Sequence, residues 1–228
     1  MHDPSIDLQR NAESARYALL RRLAPALRHQ LAGGFQPVTM MAAIIEKRLR
    51  TSAPDLPSLI KTSGDLRTST TDAARANLDL MGWIAPDAQT RVPLSQGIED
   101  AVHLLATDLS FRGFRLVNQT AGIGAQVAQS QIRGLLVAGL LALSDEASKP
   151  GHLMITAGRD GEHIAVTATL TQPCKTDNGL AQQQEFASNR ASYRKMSWDD
   201  VAAIANADGV TLKHTATSVG LRLPILFV

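Results

Sequence analysis

Between residues 20 and 49 the chain repeats one device. Leu20, Leu23, Leu27, Leu31, Phe35, Val38, Ala42, Ile45 and Leu49 recur at spacings of three and four, which lays an apolar seam along one face of a helix. Only Pro25, Gly33, Gly34 and Pro37 interrupt it, so the spacing predicts one unusually long helix over about residues 7–50. The run Thr51-Ser-Ala-Pro-Asp-Leu-Pro57 ends it with two prolines and an N-cap candidate. A second helix is predicted from about Ser58 to Ile84, with Leu59, Leu66, Ala73 and Leu80 on one face. Two long helices joined by a short turn form an antiparallel hairpin. Neither can bury its stripe fully against one partner, and a homodimeric four-helix bundle would complete the burial.

Composition narrows the class. Aromatic residues make up 4% of the chain, so burial must rest on Leu, Ile, Val, Met and Ala, and Ala and Leu favour helix. A formal charge of +2 argues against a nucleic-acid protein that works by bulk phosphate attraction. A single cysteine, Cys174, excludes an internal disulfide framework and a thiolate zinc cage. The longest apolar run, Leu135 to Leu143, falls far short of the roughly 18 residues of a membrane span. The first 25 residues contain no signal-like stretch. The expectation is a soluble, cytoplasmic protein.

From Val92 the texture changes. Ser95 to Arg112 reads as an amphipathic helix opened by Ser95, with Ile98, Ala101, Val102, Leu105 and Leu109 inward, and Phe114 to Asn118 as a strand. A helix over about residues 127–144 is apolar nearly all round and therefore buried. Strands are expected at His152–Ala157 and His163–Thr171, joined at Arg159-Asp160-Gly161. Residues 172–196 read as a long polar loop. Ser197 caps a short helix, Trp198–Ala207, Asp208-Gly209 turns the chain, and two strands over residues 210–215 and 220–227 close it. The predicted class is α+β: residues 1–14 a tail, 15–85 a helical hairpin, and 92–228 an α/β sandwich.

That order of elements resembles bacterial sensor histidine kinases, the hairpin being similar to their dimerisation and phosphotransfer domain and the sandwich to their ATP-binding catalytic domain. Three stretches carry the resemblance. Arg28-His29-Gln-Leu-Ala-Gly-Gly-Phe-Gln-Pro-Val38 is similar to phospho-acceptor boxes of the form His-x-x-x-Asn-x-Leu-Gln. Leu78-Asp-Leu-Met-Gly-Trp83 leading to Val92-Pro-Leu-Ser95 looks like the link between the two domains. Asp200 to Gly209, with Leu221-Arg-Leu-Pro224, is similar to the last helix and terminal strand.

The departures concern the nucleotide. Kinases place a magnesium-coordinating Asn in the buried helix, where the best-aligned position here is Ala138. They end the second hairpin strand with Asp-x-Gly-x-Gly, where this chain has Thr169, Leu170 and Thr171. Asp177-Asn178-Gly179 comes later without a following glycine, and no glycine-rich lid precedes Trp198. Magnesium triphosphate needs charge neutralisation and close backbone approach. The sequence offers neither, so no nucleotide cofactor is expected. Gly122-Ile-Gly-Ala-Gln-Val127 imitates a dinucleotide fingerprint but lacks its third glycine.

The resemblance makes His29 the candidate catalytic residue, since phosphoryl transfer from an aspartyl phosphate needs an exposed, neutral imidazole. His29 lies two residues from both Leu27 and Leu31, roughly 160 to 200° from the seam, so it should point outward. The alternative is a solvated surface histidine. Arg22 and Arg28 would attract an acidic partner, Gly33 and Gly34 would leave room for its approach, and Gln30 and Gln36 complete the docking set. Gln30 stands where kinases commonly carry an acidic base. His103, His152, His163, His214 and His2 read as structural or exposed.

The expectation is therefore a homodimeric histidine phosphotransferase of a two-component phosphorelay, shuttling phosphoryl between receiver-domain aspartates through His29. The expected partners are response-regulator receiver domains, which bring the magnesium. The alternatives are a non-catalytic pseudokinase that binds receivers, or an ATP-dependent kinase.

Overall fold

The computed structural model describes residues 4–84, 87, 89–120, 122–172 and 195–226. The first helix, α1, is a single element, Pro4–Leu49, with Pro25 and Pro37 inside it, and α2 spans Leu56–Ile84. The chain divides into two compact units, Met1–Leu23 with Pro86–Val228, and Ala24–Ala85. This corrects the expected tail at 1–14 and the expected boundary at residue 15. Residues 4–14 are helical, and Ala12, Ala15, Leu19 and Leu23 put a buried stripe of α1 into the first unit.

The second unit is the antiparallel hairpin. Arg48 donates to Ser58 Oγ (2.6 Å) and Thr62 Oγ1 (3.1 Å), and Ser69 Oγ lies 3.8 Å from Met41 Sδ. The pairs 48/62 and 41/69 have the same index sum, as antiparallel neighbours must. Leu27, Leu59, Ala73 and Leu80 are buried, whereas Phe35, Ala42 and Leu49 of the predicted seam are exposed. A hairpin covers only a narrow strip of each helix, and on α1 that strip follows Gly34, Val38, Met41 and Ile45, all half-buried.

In the first unit a short strand β1 (Arg91–Pro93) precedes α3 (Leu94–Phe111), followed by β2 (Arg115–Asn118), β3 (Gln126–Ala128), α4 (Gln129–Glu146), β4 (His152–Asp160), β5 (His163–Thr171), α5 (Trp198–Ala207), β6 (Thr211–Thr215) and β7 (Ser218–Pro224). The main sheet has the order β2-β4-β5-β7-β6; β2 pairs with β4 in parallel and the other pairs are antiparallel. Leu153, Ile155, Ile164, Val166, Ala168, Leu170, Val219, Leu221 and Leu223 alternate onto the covered face, where α4 packs.

Glycine permits two close approaches. A Cβ on Gly97 would lie 2.5 Å from Ile132 Cγ2, which draws α3 against α4, and one on Gly151 would lie 2.4 Å from the Thr171 carbonyl. The β4–β5 hairpin runs three residues further than expected, pairing Asp160 with His163 around Gly161, whose φ is +62°. Gly209, at φ +67°, ends α5. Ser197 forms a capping box with Asp200, as its position predicted.

Ser95 does not cap α3. The helix starts at Leu94 after Pro93, with no side-chain cap, because β1 pairs with β3 and Leu94 N–H donates to the Ala125 carbonyl at 2.9 Å. The same pairing makes the Gly122–Val127 stretch the approach to a strand rather than a phosphate-binding turn at a helix N-terminus.

Candidate functional site

His29 is exposed on α1, within the hairpin unit, and makes no hydrogen bond or ion pair with the described residues. Its neighbours decide what can reach it. Arg28 and Gln36 are exposed and Gln30 is half-buried. A Cβ built on Gly33 or Gly34 would meet nothing within 4 Å. Packing within the chain therefore does not require glycine at either position, although each costs helix stability relative to alanine. Phe35 adds an exposed aromatic ring beside them. The result is a helix surface with one nucleophilic imidazole, an unpaired guanidinium and a shallow, side-chain-free step one turn further along.

Arg22 is placed differently from the other docking residues. Its Nη2 donates to Asp108 Oδ2 (3.3 Å) and lies 3.7 Å from Asp145 Oδ1, in the first unit, with only 13% of its side chain exposed. Its charge is engaged by two carboxylates, so it presents no free cation beside His29. The network continues through Arg112, which bonds Asp145 (2.6 Å), Ser144 Oγ (3.0 Å) and the Ser144 carbonyl (2.8 Å), while Asp145 accepts the Met196 N–H (3.1 Å). Sequence reading missed this cluster. Asp108 and Arg112 are an i,i+4 pair, but Arg22 and Asp145 come from other elements, and nothing local marks them as their partners.

Ala138 lies wholly buried in α4, with no side-chain oxygen to offer a metal. Thr169, Leu170 and Thr171 end β5 as regular sheet residues. Asp177-Asn178-Gly179 and the expected lid region lie outside the described residues. Among the described residues, neither Ala138 nor the end of β5 presents a carboxylate or amide side chain to a magnesium nucleotide. Among the described residues, no group of three or more His, Cys, Asp or Glu side chains is placed to hold a metal ion. His103 is exposed on α3, His152 and His163 are half-buried at strand starts, and His214 stacks on Trp198 at 4.2 Å between ring centroids.

The architecture is thus a helical hairpin bearing an exposed histidine, joined to helices packed on one face of a mixed five-stranded sheet. No protein-family model matches the sequence, and no curated protein matches it either. Among solved structures the chain is similar to the Acinetobacter baumannii histidine kinase AdeS (13% identity, TM-score 0.44, covering 83% of this chain and 95% of that one). It is also similar to a bacterial phosphotransferase (12%, TM-score 0.37, 98% of each chain). A third likeness is to histidine kinase ThkA in complex with the response regulator protein TrrA (12%, TM-score 0.40, 99% of this chain and 67% of that one). Among the described residues, no helix is long and apolar enough to cross a membrane.

Proposed function

We propose that this chain is a histidine phosphotransferase of a two-component phosphorelay, with His29 as the group that carries phosphate. The observation that carries the reading is His29 itself: exposed, unpaired, and beside two helical glycines that the chain's own packing does not require. A neutral imidazole nitrogen attacks the phosphorus of a receiver's aspartyl phosphate. The P–N bond forms as the P–O bond breaks, the aspartate leaves as carboxylate, and the ring gives up a proton from its other nitrogen. A second receiver aspartate reverses these steps. The receiver supplies its own magnesium, so this chain contributes the nucleophile, the steady helix that carries it, and a docking face of Arg28, Gln30, Gly33, Gly34 and Gln36.

Dimerisation through the hairpin belongs to the same proposal. Leu56, Ile60, Leu78 and Met81 are exposed and fall within about 60° of one another on α2. Such a stripe is what a bundle partner would cover.

The experiment supplies labelled phosphate from two sources, ATP and a phosphorylated receiver panel, to the parent chain and to His29→Ala. Label acquired from a receiver and lost in the variant supports the relay. Label acquired from ATP would overturn it in favour of a kinase, and receiver binding without any label would favour the pseudokinase.

A further inference from the structure

The burial of α4 needs an explanation that the sheet does not supply. Gly139 faces the sheet, where a Cβ would lie 3.2 Å from Val219 Cγ2, and Ile132 on the same side faces Gly97. Val137 and Leu141 stand about 200° around the helix from Gly139 and so point away from the sheet. Both are nonetheless wholly buried. α3 and α5 pack against α4, and the first unit holds a further apolar stripe, Ala12, Ala15, Leu19 and Leu23 of α1, itself buried and spaced for one helix face.

Ion pairs fix that segment beside α4 at two points. Arg16 bonds Asp208 at 2.5 Å, and Gln131 of α4 holds the Asp208 carbonyl at 2.8 Å. Arg22 lies between Asp108 and Asp145, the latter on α4 itself. The opposite side of the segment is solvated: Ile6 and Tyr17 are exposed. Just beyond Leu23, Pro25 has no N–H to bond the Arg21 carbonyl, which weakens the helix where the docked segment ends.

We infer that residues 4–23 of α1 form a releasable helical strap over the outward face of α4. The groove beneath has a floor of Val137 and Leu141 and a rim of three carboxylates, Asp108, Asp145 and Asp208. It is built for an amphipathic helix with arginines beside its apolar face, and the chain's own segment meets that description. The contact rests on two alanines, two leucines and two arginines, so it opens without dismantling the sheet.

Hydrogen exchange on the full chain tests the inference, comparing the parent with the double variant Arg16→Gln/Arg22→Gln. The expected result is about ten-fold faster exchange over residues 12–23, with β4 and β5 unchanged, as for a separately opening unit. Leu19→Asp, which attacks the apolar contact instead, must reproduce that pattern. A fluorescently labelled peptide of residues 4–24 is expected to bind these variants and not the parent. Equal loss of protection in β4 and β5 would overturn the inference by making the segment part of one cooperative core. Unchanged exchange over residues 12–23 in both variants would overturn it as well.

Discussion

Arg16 donates to Asp208 across 2.5 Å, yet burial of the Asp208 carboxyl outweighs the attraction of Arg16 and raises its pKa above the ordinary value. The folded chain therefore holds this proton more readily than the unfolded chain. The group's contribution to stability is most favourable at low pH and is lost as pH rises through the raised value. Asp208→Asn cannot ionise, so its stability relative to the parent is expected to rise as pH climbs above the ordinary carboxyl value of about 4. Urea melts at several pH values check this, and a difference that falls with pH would show that the arginine's attraction dominates instead.

Gly97 is held to glycine by Ile132. Gly97→Ala would bring a methyl within 2.5 Å of the buried Ile132 Cγ2. The expected loss is about 1–3 kcal/mol, read from denaturant midpoints. Adding Ile132→Val, which keeps Cγ2, should recover little of it, whereas Ile132→Ala should relieve the clash at the cost of a cavity.

Gly33 and Gly34 predict the opposite sign. With nothing within 4 Å of either built Cβ, Gly33→Ala and Gly34→Ala should each stabilise the helix, by roughly 1 kcal/mol. If the glycines serve a docking partner, the same variants slow phosphoryl transfer from a receiver while melting later. Transfer at the parent rate would remove them from the docking face.

On α2, Ile60 and Leu78 are 73% exposed each. Ile60→Asp/Leu78→Asp is expected to leave the fold intact and convert a dimeric mass to a monomeric one by light scattering. A parent that is already monomeric would contradict the bundle.

Ser197 caps α5 reciprocally with Asp200, its hydroxyl accepting the Asp200 N–H at 3.2 Å. Ser197→Ala should cost about 1 kcal/mol in thermal or urea melts.

These cases separate what was legible in advance. The cap at Ser197, the turn at Gly161, the helix end at Gly209 and the buried character of residues 135–143 were all readable, because each rests on the chemistry of a few neighbouring residues. The register of β5 was readable too, since Ile164, Val166, Ala168 and Leu170 alternate with Ala165, Thr167 and Thr169. The β1–β3 ladder was not: three-residue strands carry too little periodicity, and each is defined only by a partner more than thirty residues away. Missing it misplaced the start of α3.

For the candidate site, the helix phase of His29 followed from its distance to Leu27 and Leu31, and its exposure agrees with that phase. Arg22 had equal sequence credentials but lies against Asp108 and Asp145, which are 86 and 123 positions further along.

The sequence by itself determined the succession of helices and of the main-sheet strands, the hairpin turn and the outward phase of His29, since backbone propensity, capping and periodicity act within a turn or two of the chain. Only the tertiary structure decided that residues 4–23 leave the hairpin for the sandwich, and which carboxylates hold them there. A stripe of Ala and Leu buries equally well against any complementary apolar face, and that choice is made by packing and charge between segments the sequence keeps far apart.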